Sequence, residues 1–64
     1  MLRNLRAEMS RYNVRAKDFA RLLKVREATI SGKMNGKSHF TLNEAMQIKE
    51  VYFPHLSIEY LFEM

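Results

Sequence analysis

Arg15, Lys17, Arg21, Arg26, Lys33 and Lys37 crowd into one stretch of this 64-residue chain, with few acids among them. Guanidinium and ammonium groups gathered this way suit a polyanion, and duplex DNA presents phosphates along a groove that accepts a helix. Other chemistry finds little support. His39 and His55 fall in expected loops, and neither has a second His or a Cys at metal-ligand spacing. Both read as exposed imidazoles, although His39 follows Lys37 and Ser38, where a phosphate contact has a place. With no cysteine there is neither a disulfide nor a thiolate metal site. Gly32 and Gly36 are the only glycines, so there is no glycine-rich phosphate loop. No serine or acid pair has a catalytic partner, and the five methionines fall at helical positions as core filler. The residues therefore argue against an enzyme, a metal, a cofactor and a small-molecule substrate.

The net charge of +4 conceals a division along the chain. Residues 1–37 hold ten Lys/Arg against three acids, a net of +7, whereas residues 38–64 hold Lys49 against four glutamates, a net of −3. Halves of opposite sign suit one face for nucleic acid and another for a protein partner. The plainer alternative is that surface charge only keeps a small domain soluble. A chain this short buries only about 60% of the surface it exposes when unfolded, so dimerisation is a natural supplement to its stability. No apolar run approaches the ~18–20 residues of a membrane span, and the N-terminus lacks the apolar stretch of a signal peptide. A cytoplasmic location is expected.

The elements that must position these cations are short helices. Leu2, Leu5, Met9 and Tyr12 form one stripe of a first helix over about 2–12, with Arg3, Arg6, Glu8 and Arg11 expected in water. Asn13, which tolerates positive φ, ends it, and Val14 drops into the core. A second helix over Ala16 to Leu23 carries Phe19, Ala20 and Leu23 inward, and a third over Glu27 to Met34 carries Ile30 inward. Only Lys24, Val25 and Arg26 separate them, a connection that forces the steep crossing of a helix-turn-helix. Asn35-Gly36 stops the third helix. Thr41-Leu42-Asn43-Glu44 has the pattern of a capping box for a fourth. Leu42, Ala45, Met46, Lys49 and Tyr52 share one side of that helix, Ile48 and Val51 widen the stripe, and Pro54 ends it. Ser57 caps a final short helix, with Leu56 able to staple onto Leu61. The expectation is one all-α domain of five short helices.

Thr29-Ile30-Ser31-Gly32-Lys33-Met34-Asn35-Gly36-Lys37, the two-helix unit before it and Leu56-Ser57-Ile58-Glu59-Tyr60-Leu61-Phe62 at the end occur in an order and spacing that resembles the phage repressor and Cro-type helix-turn-helix family. The stretch Asn35 to Glu44 is similar to phage-associated members in particular. The resemblance runs nearly end to end and implies a lambda-repressor-like domain that binds operator DNA. It implies sequence-specific transcriptional regulation, usually as a two-fold dimer, with the third helix in the major groove. Residues placed at phosphates are then Arg15, Ala16 through its backbone N–H, Lys17, Arg26, Lys37 and Ser38. Base-facing positions become Glu27, Ala28, Ser31 and Gly32, with Arg26 or Lys33 as guanine readers.

Departures from the family pattern carry their own expectations. Arg15 stands where a capping Thr or Ser is usual, which loses a cap worth ~1 kcal/mol but adds a phosphate partner. Lys24 replaces the usual turn glycine, so left-handed geometry there costs ~1 kcal/mol. Gly32 reads no base and weakens its helix. Lys33 replaces an apolar residue, so Met34 takes over part of the packing. Met9 and Met34 occupy positions where the family commonly pairs Arg with Glu, and an apolar contact between them is expected in place of the ion pair. A competing reading keeps the fold but assigns a protein-interaction module, such as an antitoxin. Its basis is the acidic second half with apolar Phe53, Tyr60, Phe62 and Met64, which otherwise form core and a homodimer seam.

Overall fold

The computed structural model describes residues 2–63 and holds five helices: α1 (Arg3–Arg11), α2 (Ala16–Leu23), α3 (Glu27–Met34), α4 (Leu42–Tyr52) and α5 (Ile58–Phe62). No strand occurs among the described residues. The most extensive packing is between α2 and α3; α1 lies on α5, and α4 touches both α2 and α5. Every helix contributes to one core: Leu5, Met9, Phe19, Ala20, Ile30, Met34, Ala45, Ile48, Leu61 and Phe62, joined by Phe53 just after α4. Phe19, Phe53, Leu5, Ile30, Ile48 and Leu61 are almost wholly removed from water, each worth about 1.5–3 kcal/mol of burial. Met9 and Met34 are both buried and line a common cleft. Met34 thus fills the core position beside Lys33, and the Met64 named above lies outside the described residues.

Local chemistry sets the helix ends. Asn13, Lys24 and Gly36 have φ of 57°, 60° and 87°, and the residue after each reaches back to the helix it leaves. Val14 N–H donates to Met9 O at 2.8 Å, Val25 N–H to Ala20 O at 3.0 Å and Lys37 N–H to Gly32 O at 2.9 Å. This is the Schellman closure, and it satisfies carbonyls that the helices leave open. The capping box of α4 is present in both directions: Glu44 N–H donates to Thr41 Oγ1 at 3.2 Å, and Thr41 N–H to Glu44 Oε1 at 2.9 Å. Ser57 Oγ accepts from Tyr60 N–H at 3.1 Å to start α5. Leu56 and Leu61 both belong to the packed interior around it.

Three side-chain expectations are corrected. Glu8, expected in water, is only 3% exposed. The flank of α1 formed by Asn4 and Glu8 receives α5: Asn4 Nδ2 donates to Tyr60 O at 2.8 Å and Tyr60 O–H to Glu8 Oε2 at 2.7 Å. Arg11 lies 3.7 Å from Glu8 Oε1, an atom that has no hydrogen-bond partner. The Glu8 carboxylate holds the phenol proton and so raises the Tyr60 pKa, with desolvation adding to it. Tyr12, expected at the core end of the α1 stripe, is exposed; its ring meets Phe53 and its hydroxyl lies 2.9 Å from His55 Nε2. On α4 the core face is narrower than its apolar count implied. Ala45 and Ile48 point inward, but Leu42, Met46 and Val51 are 64%, 43% and 55% exposed. The ion pair of Glu44 with Lys33 on α3 bears on the rotation of α4 about its axis, while Lys49 Nζ, 3.1 Å from Pro54 O, closes the end of the same helix.

Candidate nucleic-acid interface

Burial of Ile30 and Met34 settles which side of α3 faces out. Glu27, Ala28, Thr29 and Ser31 are exposed and Gly32 is half-exposed, so four of the expected base-facing residues share the outer side of one short helix. Gly32 leaves room there: a Cβ at this position would meet only the Lys37 Cβ, at 4.0 Å. The Lys37 stem therefore runs beside the outer face of α3. Thr29 adds a hydroxyl on this side for which no role is expected from the sequence.

Arg15 precedes the first turn of α2 in extended backbone, with φ −118° and ψ 164°. Its side chain cannot accept a hydrogen bond. The capping duty passes to Asp18, whose Oδ2 accepts from Arg15 N–H at 2.9 Å, and the Arg15 guanidinium stays in solvent. Ala16 opens the helix, where a backbone N–H has no acceptor within its own helix. Ala16 lines the same cleft as Ser31, which brings the start of α2 beside the outer part of α3. Arg26, at the corresponding place before α3, is likewise extended and exposed.

The cations divide sharply by partner. Among the described residues, Arg15, Lys17, Arg21, Lys24, Arg26 and Lys37 form no ion pair and no side-chain hydrogen bond. Arg6, Arg11, Lys33 and Lys49 are all engaged, and Arg3 on α1 is exposed with no such partner. Ser38 and His39 are exposed in the loop after α3. Lys33, expected as a guanine reader, is instead engaged within the protein. Its Nζ lies 2.6 Å from Glu44 Oε1 and 5.6 Å from the centre of the Phe40 ring, and its side chain is only 13% exposed. The bond from Lys33 is the largest influence on Glu44, whose carboxyl is held below its ordinary value, with the Thr41 N–H as the second. Lys33 thus ties α3 to α4 through an ion pair, with its ammonium also lying over the Phe40 ring.

Two further polar residues border this surface. Arg6, from α1, and Asn35, after α3, line the cleft with Ala16 and Ser31, and Arg6 Nη2 donates to Asn35 Oδ1 at 2.6 Å. The sequence signal for Asn35 was its turn-forming position, and Arg6 carried only the pattern of a solvated cation. No group of three or more His, Cys, Asp or Glu among the described residues is arranged to hold a metal ion. No helix among them is long and apolar enough to cross a membrane. Comparison with protein-family models, curated proteins and solved structures finds no match to this chain.

Proposed function

We propose that the protein is a sequence-specific regulator of transcription that binds double-stranded DNA through a helix-turn-helix formed by α2 and α3. In this reading α3 enters the major groove, as the resemblance to phage repressor and Cro-type domains implies. The observation that carries it is the partition of cations. The cations around α2 and α3 other than Lys33 keep their charges unpaired in solvent, while of those elsewhere Arg6, Arg11 and Lys49 have internal partners and Arg3 has none among the described residues. Unpaired cations displace counterions from phosphates without first breaking an internal bond. Arg15, Lys17, Arg26, Lys37 and Ser38 serve as backbone contacts with the Ala16 N–H. Glu27, Ala28, Ser31 and Gly32, with Arg26, face the bases.

The test is binding to random duplex and to sites selected from a random library, across a salt series. Wild type is expected to show a steep salt slope. Arg15→Ala, Arg26→Ala and Lys37→Ala should each weaken binding to every sequence and flatten that slope by about one unit. An unchanged slope in all three would remove these residues from the interface.

A second reading, a protein-interaction module, has one observation in its favour. A cleft of about 510 Å³ bordered by Leu2, Phe40, Leu42, Ala45 and Phe62 lies at the opposite end of α3 from its first turn, next to Lys33 and Gly36. Sedimentation separates the readings: a homodimer that binds duplex supports the first, whereas a monomer with no affinity for DNA supports the second.

A further inference from the structure

Gly32 lies inside α3 without the positive φ of Gly36, and a Cβ added to it would touch only the Lys37 Cβ, at 4.0 Å. Neither backbone geometry nor internal packing therefore calls for a glycine, and in a helix interior glycine weakens the element relative to alanine. What Gly32 does provide is a bare Cα on the outer side of α3. Lys37 N–H donates to Gly32 O at 2.9 Å, which holds the Lys37 Cβ beside that carbon. Ala28, exposed one turn earlier, has its methyl group about 5–6 Å from the place a Cβ of residue 32 would take. Lys33, the next residue, is drawn off to Glu44 and does not overhang. The result is a shallow apolar notch with Gly32 Cα as its floor and the Ala28 methyl and Lys37 Cβ as its walls.

We infer that this notch seats the C5-methyl group of a pyrimidine, thymine or 5-methylcytosine, so that methylation of a cytosine at that base pair raises affinity. The inference rests on the DNA-binding reading and names what one point of α3 recognises. Thymine projects its C5-methyl group into the major groove. Cytosine carries only a hydrogen at the same carbon, and 5-methylcytosine restores the methyl. Such a group makes no hydrogen bond and gains only by leaving water for contact with carbon. Gly32 Cα and its two flanking carbons supply that contact and fit one methyl. A Cβ on residue 32 would hold the base edge away from the helix, so the missing side chain becomes the specificity element.

Wild type, Gly32→Ala and Lys37→Ala are titrated on a site selected from a random library, with melting curves to establish that each is folded. In that site each thymine in turn is replaced by deoxyuridine, and each cytosine in turn by 5-methylcytosine. Wild type should favour the methylated base at one position of each half-site by about fourfold, the worth of one buried methyl group. A preference within either pair supports the seat, and the pair that shows it identifies the base the operator presents there. Gly32→Ala should melt no lower than wild type and lose or invert the preference at that position. Lys37→Ala keeps the Cβ that lines the notch, so it should weaken binding to every duplex and leave the ratio between methylated and unmethylated forms unchanged. Equal wild-type affinity within every pair, a preference that survives Gly32→Ala, or one that vanishes in Lys37→Ala would overturn the seat, while wild-type binding leaves the DNA reading standing. Absence of wild-type binding to any duplex would overturn both.

Discussion

At the scale of single residues, Lys24 carries a cost visible in its backbone. It holds φ 60° and ψ 45° at the end of α2 so that Val25 can turn inward, and a side chain in that region costs about 1 kcal/mol or more relative to glycine. Lys24→Gly should raise stability by about 1 kcal/mol, read as a shifted urea midpoint with an unchanged slope. A lower midpoint would mean that the lysine stem contributes packing that outweighs the strain. Glu27 presents a different question. It is exposed at the first position of α3 and makes no hydrogen bond or ion pair among the described residues, so its carboxylate is free to accept from cytosine N4. Glu27→Gln should change the preferred base at one position of each half-site, by about 1–3 kcal/mol, in binding-site selection. If the residue only complements the positive end of α3, the selected sites will be identical and affinity for all DNA will rise.

At the scale of elements, α3 and α4 are locked through one carboxylate. Glu44 Oε1 accepts both from Thr41 N–H, which starts α4, and from Lys33 Nζ on α3. Its pKa lies below the ordinary 4.5, so the ionised form is favoured by folding. That contribution is fully present above the unfolded value and is lost as pH falls through the lower folded value. Glu44→Gln keeps a capping-box residue but removes the charge. It should cost on the order of 1 kcal/mol at neutral pH and flatten the loss of stability in the acid range, measured by thermal melts across pH. Equal acid sensitivity in wild type and variant would place the pH dependence elsewhere. The bounds of α2 and α3, the Asn13 and Gly36 turns and the Thr41 cap were all legible in the sequence, because each depends on neighbours within five residues. The fate of Lys33 was not: its position in α3 was clear, but its partner stands eleven residues away on another helix.

At the scale of the whole molecule, the described chain spans only 26 × 21 × 20 Å, and its exposed apolar side chains gather in the second half. Leu42 and Met46 are one turn apart on α4, and Leu42 borders the larger cleft. A homodimer seam in this half would cover them. Leu42→Glu should shift sedimentation toward monomer and reduce affinity for a two-fold operator while leaving the melting temperature of the monomer unchanged within a few degrees, since the residue is solvent-facing. Retained dimerisation would exclude this edge as the seam. The sequence alone determined the five helices, their order and the concentration of positive charge around α2 and α3, because helical periodicity, caps and charge are local properties. Only the tertiary structure decided which cations remain free, that Glu8 is buried beneath Tyr60, that Leu42 and Met46 face solvent, and that Arg6 meets Asn35. Those outcomes depend on how each helix is rotated about its axis when packed against the others. That rotation follows from contacts far apart in sequence, which no local pattern contains.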